Sequence, residues 1–183
     1  MSSSVKNFDV EELTRATNNF ARPVGAGGSG EVFEGVLADE TRVAVKRCTG
    51  GATHRGFEEL LTEVSVLSRV DSVNVLRVLG LAFQRPGVLM LVMPYLERGS
   101  LHAALHIGAG GAVMDAAWRV GFVAGVAHGI RALHEAQIVH RDVKSPNVLV
   151  SDAHGRGLHS FPFPLNLSLV CHKKTPYTPQ TPP

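Results

Sequence analysis

The hydrophobic period of this chain changes once, and that change limits the folds open to it. From Val24 to Met93 apolar residues recur mainly at every second position, and after Pro94 they recur at helical spacing. Val32, Glu34 and Val36 alternate with Phe33, Gly35 and Leu37, and Val43 and Val45 alternate with Ala44 and Lys46. Residues two apart share one face of a strand. Further strands are predicted around Val73–Phe83 and Val88–Met93, joined by the turn chemistry of Gln84-Arg85-Pro86-Gly87. One helix interrupts them: Phe57, Leu60, Leu61, Val64 and Leu67 form an apolar stripe over 55–70. Beyond Pro94 helices are predicted at Leu101–His106 and Asp115–Ala136, with a Gly-rich break at 108–111. Strands first and helices afterwards predict an α+β fold in two parts.

The strands are preceded by a capping-box pattern, Asp9 with Glu12 three residues on, and a short helix to about Asn18. Phe8 and Leu13 occupy the positions of a hydrophobic staple. Residues 155–183 differ from everything before them. Six of the ten prolines lie between Pro162 and Pro183, and Asp152 is the last acid. Phe161, Phe163, Leu165, Leu167 and Leu169 alternate as a strand would, but Pro162 and Pro164 remove ladder donors. Disorder or a loosely attached extended segment is expected there.

Composition excludes several classes. With 44% hydrophobic and 19% charged residues, 183 residues make one domain with a tail, not a disordered chain. Cys48 and Cys171 provide no disulfide framework, which fits a reducing compartment. Residues 1–155 hold 15 Lys+Arg against 16 Asp+Glu, so the body has no nucleic-acid footprint, and the basic surplus sits in the tail. Apolar runs such as Val88–Met93 fall far short of the ~20 residues of a membrane helix. Gly121, Gly125 and Gly129 repeat at a membrane-like spacing, but Arg119, His128 and Arg131 interrupt them, and close packing of a soluble helix is expected. Asn166-Leu167-Ser168 matches a glycosylation sequon, and with no secretory pattern at Met1–Lys6 a chance match is expected.

The chemistry lies in motifs of fixed order. Gly25-Ala26-Gly27-Gly28-Ser29-Gly30-Glu31-Val32 reads G-x-G-x-x-G-x-V. Glycines let backbone N–H groups approach phosphates closely, although alone they equally suit a flexible turn. Strand-like alternation follows them, which favours a hairpin closing over a nucleotide. In Val43-Ala44-Val45-Lys46, Ala44 and Lys46 share a face, so the ammonium would lie beneath the glycines. Glu63 stands at the edge of the 55–70 stripe, where a carboxylate wants a cation, and Lys46 is the candidate. His140-Arg141-Asp142-Val143-Lys144-Ser145-Pro146-Asn147 matches H-R-D-x-x-x-x-N. There an aspartate accepts a hydroxyl proton, and an asparagine five residues later binds a metal ion.

Over about residues 8–154 the chain resembles the protein kinase superfamily. Phe8–Phe20, Ser100-Leu101 and Ser145-Pro146-Asn147 resemble the plant receptor-like and Pelle/IRAK-type serine/threonine kinases. The resemblance implies a lead-in helix over 1–20, a complete small β-rich lobe over 21–96 and a partial large α lobe over 97–154. It leaves 155–183 as a non-family tail. It further implies an adenine site of Val32, Ala44 and Leu149, with Met93 as gatekeeper and Pro94-Tyr95-Leu96 as hinge. Gly25, Gly27 and Gly30 would cover the phosphates, and Lys46 would hold them while pairing with Glu63. Asp142 would be the base, Lys144 would contact the γ-phosphate, and Asn147 would hold Mg²⁺. His140 and Leu67 resemble spine residues, and Arg141 the arginine that reads a phosphorylated activation loop. ATP, a protein substrate or related kinases are the implied partners. The implied location is cytoplasmic, or the cytoplasmic face of the plasma membrane through partners.

The resemblance stops after His154. No Asp-Phe-Gly occurs in these 183 residues, nor any acid beyond Asp152 to hold magnesium. Little phosphotransfer is therefore expected of this chain. The alternatives are a non-catalytic nucleotide-binding module competing with a relative, or a gene model in which residues from about Gly155 are translated intron. Other candidates are weaker. His102 and His106, four apart, lack the glutamate of the zinc-protease pattern, Cys171-His172 has no partner pair, and Cys48 reads as a small buried residue.

Overall fold

The computed structural model describes residues 5–27, 30–48, 64, 68, 70–84, 87–106, 116–140, 142–152 and 165–169. The chain divides into two compact units, Met1–Arg69 with Arg77–Tyr95, and Val70–Leu76 with Leu96–Pro183.

The first unit is built on strand alternation. β1 (Lys6–Asn7), β2 (Pro23–Gly27), β3 (Gly30–Val36), β4 (Arg42–Cys48), β5 (Gly80–Gln84) and β6 (Val88–Pro94) form one sheet, ordered β1-β5-β6-β4-β3-β2. All neighbours are antiparallel except β1 with β5. α1 (Val10–Ala16) carries Leu13 into a core with Phe8, Val43, Val45, Ala82, Met90 and Val92. The odd-numbered residues of β4 thus face the core and the even-numbered ones the opposite side, as the period of two requires.

Two expectations are corrected here. Asp9 takes the extended N-cap conformation, but its side chain makes no capping hydrogen bond. Glu12 instead pairs with Lys6 at 3.3 Å, so the capping box does not form. The staple residues Phe8 and Leu13 do share the core, and the helix ends at Ala16. The strand expected from Val73 begins only at Gly80. Gly80 is where the lead-in lies against the sheet: a Cβ there would overlap the Lys6 carbonyl and the Phe8 ring.

The second unit holds α2 (Leu101–His106), α3 (Ala116–Glu135), a 3₁₀ turn (Ser145–Asn147), β7 (Val148–Asp152) and β8 (Leu165–Leu169). Ser100 caps α2, its hydroxyl accepting from the Ala103 N–H at 3.2 Å. β7 and β8 form an antiparallel pair running from Val148↔Leu169 to Asp152↔Leu165, and α3 packs against β8. The stretch Leu165–Leu169 is thus extended and paired over those residues. The close packing expected of the α3 glycines is not found at Gly121, where a Cβ would meet nothing within 4 Å. Among the described residues no helix is long and apolar enough to cross a membrane. The amphipathic helix expected over 55–70 lies largely outside the described residues, although Val64 is helical and buried.

Candidate functional site

In the first unit the register of three strands builds one face. Val32 stands across from Lys46, Glu34 from Ala44, Ala44 from Met93 and Lys46 from Leu91. Directly paired residues point to the same side of a sheet, so Val32, Ala44, Lys46 and Met93 share the face turned away from the α1 core. Lys46 is only 6% exposed. Burying an ammonium this far is costly unless an anion or polar groups meet it. Gly25 and Gly27 lie in β2, and Gly30 opens β3 with φ 130°. A Cβ at Gly30 would overlap the backbone carbonyl of Arg47, so β3 approaches β4 there as only glycine allows. Pro94 ends β6, and the following Tyr95 N–H donates to the Arg42 carbonyl at 3.3 Å. Glu63 and Leu67 lie outside the described residues.

In the second unit a loop of six residues gathers three functional groups. Lys144 Nζ lies 3.0 Å from Asp142 Oδ2. Asn147 Nδ2 donates to the same oxygen at 2.9 Å and to the Asp142 carbonyl at 2.8 Å. The 3₁₀ turn brings Asn147 back: its N–H donates to the Lys144 carbonyl at 2.9 Å, and Pro146 sets φ within the turn. Buried His140 accepts the Asp142 N–H on Nδ1 at 3.2 Å. Leu149 is half-buried on β7 and bridges Ser100, while the Val150 N–H donates to the Gly99 carbonyl at 2.9 Å. Leu96 accepts the Gly99 N–H at 3.1 Å. Arg141 lies outside the described residues.

A carboxylate meeting an ammonium and an amide on one oxygen is held in a fixed orientation. Asn147, the residue expected to hold Mg²⁺, turns its amide Nδ2 to Asp142. Mg²⁺ takes octahedral oxygens, usually from one or two carboxylates plus phosphates. Here Oδ2 of Asp142 already meets Lys144, and among the described residues no three His, Cys, Asp or Glu converge. His102 and His106 stack at 4.3 Å instead, His106 Nδ1 lying 3.0 Å from the His102 carbonyl. Sequence reasoning missed that His102 Nδ1 also lies 3.4 Å from Ser145 Oγ in the loop; nothing in the spacing of residues 43 apart signals it.

Residues 19–160 match the family model described as protein tyrosine and serine/threonine kinase. The chain is similar to a G-type lectin S-receptor-like serine/threonine-protein kinase of Arabidopsis thaliana, 37% identical over 80% of this chain and 17% of the relative. It is 40% identical to a probable leucine-rich repeat receptor-like protein kinase of the same plant, over 80% of this chain and 16% of the relative. A putative receptor protein kinase of Zea mays is 35% identical over 84% of this chain and 19% of the relative. The chain thus spans under a fifth of the length of each of these relatives. Among solved structures it is similar in fold to an apo pseudokinase, with a TM-score of 0.75 at 20% identity, covering 91% of this chain and 59% of the other.

Proposed function

The chain belongs to the protein tyrosine and serine/threonine kinase family, and from that premise we propose that it binds ATP and orients a protein serine or threonine hydroxyl, with phosphoryl transfer strongly reduced. Lys46 takes the nucleotide phosphates, and Val32, Ala44, Met93 and Leu149 contact the adenine. The hinge backbone of Pro94 and Leu96 reads its edge. Asp142 accepts the hydroxyl proton, held for that task by Lys144 and Asn147. The observation that carries this reading is the Asp142 carboxylate, fixed by two partners within 3.0 Å on one oxygen.

Mg²⁺, when bound, supplies charge neutralisation of the phosphates; in this family an Asp-Phe-Gly aspartate is expected to hold it. No such aspartate occurs in these 183 residues, so no step is assigned to the metal here. Losing roughly 4 kcal/mol of charge stabilisation lowers a rate about a thousandfold. Incubation with labelled ATP and a generic Ser/Thr substrate tests the reading. A trace of transfer is expected, falling about a hundredfold or more in Asp142→Asn, the scale of a lost general base. Transfer that Asp142→Asn leaves unchanged contradicts the role of Asp142. ATP binding with no transfer at all favours the non-catalytic alternative.

A further inference from the structure

The sheet face opposite Lys46 carries a polar cavity. It measures about 610 Å³, and Thr14, Asn19, Phe20, Phe33, Arg47 and Gln84 contribute to its lining. An unusual turn builds one wall: Asn18, Asn19 and Phe20 have φ of 49°, 58° and 57°, left-handed values uncommon for a ring-bearing residue. Local hydrogen bonds hold it. The Asn19 N–H donates to the Thr14 carbonyl at 2.7 Å, and the Phe20 N–H to Thr17 Oγ1 at 3.1 Å. The turn sets the Phe20 ring edge-on to Phe33 at 5.3 Å and places it 4.7 Å from the Arg47 guanidinium. Phe33 lies 5.9 Å from the same group. Arg47 Nε is buried and has no hydrogen-bond partner among the described residues.

We propose that this cavity binds a monocarboxylate on a peptide-like body, taken edge-on by Arg47. Aromatic rings occupy the space over the guanidinium, which leaves its N–H edge for recognition, and that edge matches a planar carboxylate in bidentate fashion. Thr14, Asn19 and Gln84 supply hydroxyl and amide partners for the rest of the ligand. Charge selects the class of anion. Glu31 stands directly across the ladder from Arg47, also lines the cavity and is exposed. One positive and one negative side chain leave no surplus for a phosphate dianion, and a monoanion meets less repulsion. Among the described acids of the unit, Glu34 pairs with Arg22 and Arg42, Glu12 pairs with Lys6, and Asp39 accepts the Thr41 N–H.

The site does not depend on nucleotide chemistry, and its test is separate. The Arg47 Nε–Hε signal of the full chain is followed by ¹⁵N NMR while N-acetylglutamate N-methylamide is added, with inorganic phosphate as the second probe. A saturable shift is expected with the carboxylate and a weaker response with phosphate. Glu31→Gln, an exposed change, should tighten carboxylate binding roughly fivefold, the factor equivalent to about 1 kcal/mol of like-charge repulsion. Arg47→Lys, followed through the Gln84 side-chain amide, should loosen it about tenfold by losing the fork. An Arg47 signal that does not move overturns the proposal. So does a phosphate response as strong as the carboxylate's, or an affinity that Glu31→Gln leaves unchanged.

Discussion

Asp142 shows how little chain is needed to hold a carboxylate in place. Two residues within five positions hold one oxygen, and the turn that returns Asn147 starts at a proline-containing triplet. Lys144 and Asp142 are both partly exposed, so their pair contributes little stability; its consequence is orientation. A different residue-scale constraint acts at Gly30. Gly30→Ala would force a Cβ onto the Arg47 carbonyl at a φ that alanine avoids, and a loss of about 2 kcal/mol or more is expected in denaturant unfolding. Asp39 offers a pH test. The Thr41 side chain, then its backbone N–H, bond the carboxylate and hold its pKa below the ordinary 3.8. A depressed folded value means that the turn's stabilisation is present above the unfolded pKa and is lost as pH falls through the folded one. A ¹³C titration should place the Asp39 midpoint below 3.8, and Thr41→Val should raise it.

Among the elements, the strands were the most legible. Alternation located β3, β4 and β6 within a residue or two, because each packs one face on a core and the period of two follows from that. α2 matched its expected bounds and α3 came within one residue at each end. The lead-in was legible as a helix but not in its contacts. Nothing in the sequence said that Lys6-Asn7 would add a parallel strand beside Gly80, since edge pairing is a backbone event without a side-chain pattern. The left-handed turn had a faint signal in Asn18-Asn19, residues that tolerate positive φ. Thr17, 2% exposed, ties that turn to the helix through its hydroxyl, donating to the Leu13 carbonyl at 2.7 Å and accepting from Phe20. Thr17→Val keeps the shape but orphans the Phe20 N–H, while the Leu13 carbonyl keeps the Thr17 N–H at 3.0 Å, and a loss of about 1–3 kcal/mol is expected in thermal or urea unfolding. In the tail the prolines argued against a strand, yet none falls between Pro164, one residue before β8 begins, and Pro176.

For the whole molecule, the family was legible because its motifs carry chemistry that tolerates little variation in residue type. Lys46 with its glycine-bearing strands belongs to one unit, and Asp142 with Lys144 and Asn147 to the other. What the chain does with a nucleotide is the central claim, and calorimetric titration of ATP into the purified chain tests it most directly. Saturable binding is predicted, weakened about tenfold or more in Lys46→Met, the scale of one charge-assisted phosphate contact. Asp142→Asn, which alters the group assigned to the hydroxyl, should bind ATP nearly as the unaltered chain does. No saturable binding, or equal affinity in Lys46→Met, would contradict the account.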